Sequence, residues 1–271
     1  MFLNRLYNQH TGRYFNHNIH SVRVLDKVFS LNLTLQTLVG IAGHNGEIEL
    51  EEYWPVPMES FDQFEAELEK CYTIPGYANK IQPSTLEGNV VRISDIIAYL
   101  GKDRQDAARI QMVEDSAFPS SEIGTINSEI INNLVVNIIE NSYGKPYIKL
   151  DAKHFGAVKT YKRENYSMIY ENEPGRVVLE RTAMPMMTEI YEQLLEDLVQ
   201  GKKNSPIFRH HIDYVNQTHY PKPVPYEKNE PNQIIVDYIA SMTDDYLIDL
   251  HHYLFPDSGY FVEYTGYFTD L

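Results

Sequence analysis

The sequence contains a single cysteine, Cys71, among 271 residues. One cysteine excludes an internal disulfide framework and a cysteine-rich zinc site, and it fits a reducing compartment. Uninterrupted apolar runs are also missing at the length of about 20 residues that a transmembrane helix needs. The N-terminal residues carry no apolar segment typical of a signal peptide. We therefore expect a cytoplasmic protein with no membrane partner.

Positive charge is scarce, because 23 Lys and Arg stand against 38 Asp and Glu, a net charge of −15. Affinity for a nucleic-acid backbone comes from clustered Lys and Arg, so we do not expect nucleic acid as a partner. A local basic pocket for a small phosphate ligand is compatible with this balance. Strand signals are few as well, which predicts an all-α fold with at most short β segments.

Apolar residues recur at helical spacing along most of the chain. The pattern predicts helices over 18–38 (with a candidate break at Asn32), 60–70, 89–100, 128–141, 155–161, 183–198 and 233–254. It also predicts a short strand over 147–150 and a loop over the acidic segment 48–57. Helices on both sides of the proline-rich segment 220–231 carry apolar faces, so we predict one helical domain, 1–271.

The segment after the start of the 89–100 helix places Asp95, Tyr99 and Asp103 at intervals of four residues. Four residues turn an α-helix by about 400°, so each step drifts only about 40° around the axis. All three side chains can therefore face one cleft. One interpretation is a metal ligand followed by groups that grip a sugar or a base. The other is a solvated polar face opposite the apolar stripe.

A second candidate lies at the start of the first predicted helix, where His17 precedes Arg23. Helix N-termini and arginine both favour anions, which makes Arg23 a candidate nucleotide-binding residue. An imidazole titrates near neutrality, so His17 is a candidate general acid. The alternative is a surface histidine beside a capping asparagine.

Taken together and in order, four segments resemble one family. They are Phe15-x-His17-Asn18-x-x-Ser21-x-Arg23, Leu33-Thr34-Leu35 with Gly40-Ile41-x-x-His44-Asn45-Gly46-Glu47, Asp95-Ile96-Ile97-Ala98-Tyr99-x-x-x-Asp103, and Asp237-Tyr238-Ile239-Ala240-x-Met242-Thr243-Asp244. Their combination is similar to the deoxynucleoside triphosphate triphosphohydrolases, the dGTPase-like branch of the HD-domain superfamily. A further segment, Lys162-x-x-Asn165-Tyr166-x-x-Ile169-Tyr170, resembles a family segment that lies near the nucleotide.

The resemblance implies an HD-domain-like helical fold, a homo-oligomer, and hydrolysis of a deoxynucleoside triphosphate to deoxynucleoside and tripolyphosphate. It also implies a divalent metal such as Mn²⁺ or Mg²⁺. Asp95 matches the last metal ligand of the family, and His17 matches a histidine beside the triphosphate that is assigned a catalytic role. Tyr99 and Asp103 match residues that contact the nucleotide sugar, and Tyr166 matches a tyrosine of the nucleotide pocket.

The sequence departs from the family pattern at the metal site. The family's other metal ligands are an upstream histidine and a His-Asp pair, and none of the ten histidines here is followed by aspartate. We therefore expect the chain to correspond to the part that follows the His-Asp motif, and to be inactive or impaired by itself. Two alternatives stay open: a regulatory module that binds nucleotide without hydrolysing it, and a subunit completed by another chain.

Overall fold

A computed structural model of the protein describes residues 2–45, 49–110, 112–114, 117–119, 122–171, 177, 179–218 and 225–262. Its α-helices are α1 (Phe2–Thr11), α2 (His17–Arg23), α3 (Leu35–Ala42), α4 (Phe61–Thr73), α5 (Leu86–Arg109), α6 (Asn127–Ser142), α7 (Ala152–Asn165), α8 (Met184–Val199), α9 (Asp213–Thr218), α10 (Pro231–Ile239) and α11 (Asp244–Leu254). Its strands are β1 (Glu52–Tyr53) and β2 (Ile148–Lys149), which pair antiparallel. The predicted all-α class with short β segments is confirmed.

Three predicted features fall partly outside the described residues. They are the second family-like segment at Gly46 and Glu47, the predicted loop 48–57 at residue 48, and the proline-rich segment at residues 220–224. Within the described part of the chain, no helix is both long enough and apolar enough to cross a bilayer.

Contacts divide the chain into two compact units, each assembled from separate stretches of sequence. The first unit comprises Met1–Phe15, Arg23–Leu31 and Pro174–Leu271, and the second comprises Asn16–Val22 and Asn32–Glu173. A compact unit need not fold independently, so the prediction of one domain stays a prediction.

The first unit packs α1, α8 and α10 around a core in which Ile190, Leu194 and Ile234 are fully buried. The predicted helix over 183–198 is confirmed by α8. The predicted single helix over 233–254 was wrong, because α10 ends at Ile239 and α11 begins at Asp244. Thr243 caps α11 by accepting a hydrogen bond from the backbone N–H of Tyr246, and this cap starts a separate helix.

The second unit contains two hydrophobic clusters. One lies between α5 and α6 and includes Ile93, Ile97 and Leu134, while the other joins α2, α3 and α4 around Val39. Helix α5 comes close to α6 at Gly101, where an added Cβ would lie 2.6 Å from Oδ1 of Asn127. The absence of a side chain at Gly101 therefore sets how closely these two helices pack.

The predicted helix over 18–38 is interrupted. Helix α2 runs into a π-helical turn over Val24–Val28, and Ser30 then adopts a left-handed conformation with φ of 50°. Helix α3 restarts at Leu35 with Thr34 as its cap, accepting a hydrogen bond from the N–H of Thr37. A residue in the left-handed conformation ends an α-helix. The interruption at Ser30 therefore lies two residues before the candidate break at Asn32.

Candidate functional site

A cavity of about 430 Å³ opens in the second unit. Its walls come from α2, from the residues after α3, from α5, and from the end of α7 with the π-helical turn over Tyr166–Tyr170. The lining residues are His17, His44, Asn45, Asp95, Ile96, Tyr99, Leu100, Asp103, Lys162, Asn165, Tyr166 and Tyr170.

Five of the six candidate site residues line this one cavity: His17, Asp95, Tyr99, Asp103 and Tyr166. They come from three separate segments of the sequence, and the fold brings these segments together at one cavity. Arg23 belongs to the first unit instead. Its guanidinium donates two hydrogen bonds of 2.7 Å to the carboxylate of Asp237. Its predicted role in binding nucleotide stays a prediction.

Helix α5 presents the central wall of the cavity. Thr85 caps its N-terminus by accepting a hydrogen bond from the N–H of Gly88, and the helix then continues for 24 residues. The predicted spacing holds, because Asp95, Tyr99 and Asp103 all face the cavity. Tyr99 is 57% exposed, so its ring is available to a ligand.

Asp103 and Tyr170 form a direct contact across the cavity wall. The Tyr170 hydroxyl donates a hydrogen bond of 2.6 Å to Oδ2 of Asp103. Burial raises the pKa of the Asp103 carboxyl, against the lowering effect of this hydrogen bond, and the charge of Asp106 adds to the rise. The pKa of Tyr170 is raised by desolvation and by the same bond. Tyr170 had no predicted role, although it ends the segment that contains Tyr166.

Two histidines meet at another side of the cavity. The rings of His17 and His44 lie 5.4 Å apart, edge to face. Nδ1 of His44 lies 2.6 Å from the carbonyl oxygen of Ile41, which can only accept, so Nδ1 carries the proton of this hydrogen bond. Nε2 of the same ring donates to a ligand only when the imidazole is doubly protonated. His44 lies in a family-like segment, but no spacing or motif in the sequence predicts a site role for it.

Arg92 holds the loop that carries His44. It is 3% exposed and donates hydrogen bonds to the carbonyl oxygens of Gly43, at 3.2 Å, and Ile81, at 2.9 Å. Helix α3 lies close to α5 in the same region, since an added Cβ on Gly88 would lie 3.4 Å from Cα of Gly40. A buried side chain and a close helix contact therefore fix His44 in place.

The cavity contains groups of both charges. Lys162 donates a hydrogen bond of 2.7 Å to Glu49. Burial by itself would raise the pKa of Glu49, but the hydrogen bond from Lys162, a backbone hydrogen bond and the charges of Lys162 and Lys159 together lower this pKa. Lys162 and the two imidazoles are the groups suited to an anion, while Asp95 and Asp103 suit hydroxyl or cationic groups.

The described residues do not fit the divalent metal that the resemblance implies. No group of three or more His, Cys, Asp or Glu side chains in the described ranges is placed to hold a metal ion. Catalytic metal sites generally use three protein ligands. Because no such group is present in the described ranges, Asp95 lacks the co-ligands of a metal site there.

Comparison with known proteins tests the family resemblance independently of the structure. Residues 157–253 match the model of a phosphohydrolase-associated domain. A deoxyguanosinetriphosphate triphosphohydrolase-like protein of Caldanaerobacter subterraneus subsp. tengcongensis is 27% identical over 66% of this chain and 49% of its own length. Proteins of the same description from Clostridium tetani and Clostridium perfringens (strain SM101 / Type A) are 25% and 27% identical, over 89% and 86% of this chain.

The predicted resemblance to the dGTPase-like branch of the HD-domain superfamily is confirmed. No solved structure matches the chain significantly. The chain spans 49%, 60% and 58% of the length of these three dGTPase-like relatives, so about half or somewhat more of each. The phosphohydrolase-associated match begins within α7 and includes Lys162, Asn165, Tyr166 and Tyr170, which form one wall of the cavity.

Proposed function

We propose that the cavity binds a deoxynucleoside triphosphate, as part of a deoxynucleoside triphosphate triphosphohydrolase. The observation that carries this proposal is the convergence of His17, Asp95, Tyr99, Asp103 and Tyr166 on one cavity. These five residues belong to three family-like segments that are far apart in the sequence. The names of the relatives add support, since all three describe triphosphohydrolase-like proteins.

The lining groups suit the parts of such a ligand. The exposed rings of Tyr99 and Tyr166 offer surfaces for the sugar and the base. Asp103 can accept a hydrogen bond from a sugar hydroxyl, and Lys162 attracts phosphate oxygens, as do the imidazoles of His17 and His44 in their protonated form. A cavity of about 430 Å³ is in the size range of small-molecule sites.

Hydrolysis to deoxynucleoside and tripolyphosphate requires that water attack the α-phosphorus while its bond to the 5′-oxygen breaks. The leaving 5′-oxygen then takes up a proton, and His17 is the group assigned to supply it. The attacking water must lose a proton as well. No described residue is assigned to activate this water, so full activity is expected to need groups from outside the described residues.

A second candidate function follows from the metal-site observation. Within the described residues Asp95 has no set of co-ligands. The chain would then bind nucleotide as a regulatory module, or hydrolyse it only when another chain completes the site. A homo-oligomer and a cytoplasmic location remain proposals alongside both functions.

Calorimetric titration of the chain with dGTP and the other three deoxynucleoside triphosphates tests the binding proposal. We expect Tyr99→Ala to weaken binding roughly tenfold or more, the order of one lost stacking contact. Tyr143→Ala is the matched control, because Tyr143 is 89% exposed and does not line the cavity. Absence of binding by the wild-type chain would exclude both candidate functions.

A hydrolysis assay separates the two candidates. The chain is incubated with each deoxynucleoside triphosphate and Mn²⁺, and tripolyphosphate is measured by anion exchange. Release at an enzyme-like rate that Asp95→Ala abolishes would favour a working enzyme and reject the regulatory module. Binding without release, unchanged by Asp95→Ala, is the result expected if the metal centre is incomplete in this chain.

A further inference from the structure

Three residues of the second unit form a polar cluster at the cavity wall. Nε of Arg104 donates to Oδ1 of Asn165 at 2.8 Å, and its Nη2 donates to Oε2 of Glu164 at 2.8 Å. Arg104 is 5% exposed and Asn165 is 4% exposed. The three side chains, called the Arg104 clamp below, connect α5 to the end of α7.

Both polar atoms of the Asn165 amide make hydrogen bonds. While Oδ1 accepts from Arg104, Nδ2 donates a hydrogen bond of 2.9 Å to the carbonyl oxygen of Leu100 in α5. Asn165 lines the cavity, yet both polar atoms of its amide are engaged with protein groups. Its side chain therefore ties the end of α7 to α5.

Two aromatic rings pack against the guanidinium of Arg104. Its guanidinium carbon lies 3.9 Å from the ring centroid of Tyr161 and 4.4 Å from that of Phe118. Stacking and two charge-assisted hydrogen bonds use the planar, forked shape of arginine, which lysine cannot reproduce. The cluster therefore has a defined geometry.

Each end of the clamp adjoins a proposed ligand-binding group. Arg104 follows Asp103 in α5, and Asn165 precedes Tyr166, the first residue of the π-helical turn that ends at Tyr170. Tyr170 reaches back to Asp103 through the 2.6 Å hydrogen bond. A π-helical turn at a helix end is a local irregularity that is frequent at functional sites. Its position relative to α5 depends on the contacts that anchor its first residues.

From these contacts we infer that Arg104 and Asn165 are positioning residues, which set the placement of Tyr166 and Tyr170 against Asp103. The inference rests on the proposed nucleotide site for its consequence in binding. Groups that position a ligand must be held within about half an ångström, so loss of the clamp weakens binding without removing any ligand contact.

The placement of Tyr170 is tested first, in the nucleotide-free protein. 3-Fluorotyrosine is introduced at position 170 and its fluorine resonance is recorded in the wild-type background, in Arg104→Lys and in Asn165→Leu. Both variants are expected to shift or broaden the resonance. Leu194→Ala is the control for general destabilisation, because Leu194 is fully buried in α8 of the first unit and does not line the cavity. A resonance that neither clamp variant moves would overturn the inference.

Nucleotide affinity is tested second. Arg104→Lys, which keeps the positive charge, is expected to weaken deoxynucleoside triphosphate binding roughly tenfold, while Leu194→Ala leaves it unchanged. The loss should shrink in a Tyr170→Phe background, because residues that act through one another are not additive. Wild-type binding with an unchanged affinity in Arg104→Lys would reject the clamp and leave the proposed function standing. A wild-type chain that binds no nucleotide would reject the proposed function, and the fluorine resonance alone would then decide the clamp.

Discussion

Arg23 and Asp237 are 214 positions apart in the sequence and form a bidentate ion pair in the first unit. The Arg23 side chain is 13% exposed and that of Asp237 is 1% exposed. The hydroxyl of Tyr226 and the amide of Gln233 also donate to the same carboxylate, at 2.7 Å and 3.1 Å. Arg23 lies in the first of the four family-like segments and Asp237 in the last. The ion pair therefore gives a structural reason for an arginine at position 23 and an aspartate at position 237.

Arg23→Ala is expected to lower the free energy of unfolding by about 3–5 kcal/mol, because it removes the guanidinium that pairs with a buried carboxylate. Urea denaturation measures this change. The matched control is Lys102→Ala, which breaks an exposed pair with Asp106 and should cost about 1 kcal/mol or less. Unchanged stability with weakened nucleotide binding would instead support the predicted ligand role of Arg23.

Local pattern was sufficient to predict much of the helical structure and the main wall of the site. Helix α6 agrees with its predicted range to within one residue at each end, and the interval of four residues places Asp95, Tyr99 and Asp103 on one cavity. These features depend on residues within a few turns of one helix, where periodicity carries the information.

Features that depend on distant partners could not be predicted in this way. Strand β1 lies in an acidic segment that was expected to be a loop, and it forms because Glu52 and Tyr53 pair with Lys149 and Ile148. Likewise, the contact of Asp103 with Tyr170 joins residues 67 positions apart. No local signal specifies such a pair, since it arises only when two helices pack.

Asp103 should make the stability of the protein depend on pH. The pKa of Asp103 is raised in the folded state. At any pH between the ordinary carboxyl pKa, about 3.9, and this raised pKa, folding therefore takes up a proton. The stabilisation present at low pH is therefore lost as the pH rises through the folded pKa. Asp103→Asn keeps an acceptor for Tyr170 and removes this loss, so its melting temperature should exceed that of the wild type by about 1–4 °C near neutrality.

Thermal unfolding of both proteins from about pH 4 to pH 7 measures this gap, which should grow with pH. Asp257→Asn, at an exposed position, serves as the comparison. A gap that stays constant over the range would contradict the raised pKa. Nucleotide binding by Asp103→Asn should weaken at the same time, since a neutral amide accepts a sugar hydroxyl less strongly than a carboxylate does.

Cys71 should be inert towards thiol reagents in the native protein. It is fully buried in the second unit, and burial raises the pKa of its thiol to about 12. At pH 8 its thiolate fraction is therefore negligible, and the sulfur is inaccessible. A disulfide reagent should release no chromophore until denaturant is added. Ser128→Cys, at an exposed position in α6, should react at once with one equivalent. Rapid reaction of the wild-type protein would show that this core opens easily.

Two helical glycines of the second unit should respond to the same substitution with opposite signs. In Gly101→Ala the new Cβ would lie 2.8 Å from Cα of Asn127, so the backbone of α6 must move, and we expect a loss of about 1–3 kcal/mol. Gly156 lies in α7 with nothing within 4 Å of an added Cβ. Gly156→Ala should therefore stabilise the protein by about 0.5–1 kcal/mol through helix propensity alone. Chemical denaturation of both variants measures the two changes. Equal effects would mean that α5 and α6 do not meet closely at Gly101. In that case the packing that places Asp95, Tyr99 and Asp103 along one cavity would need revision.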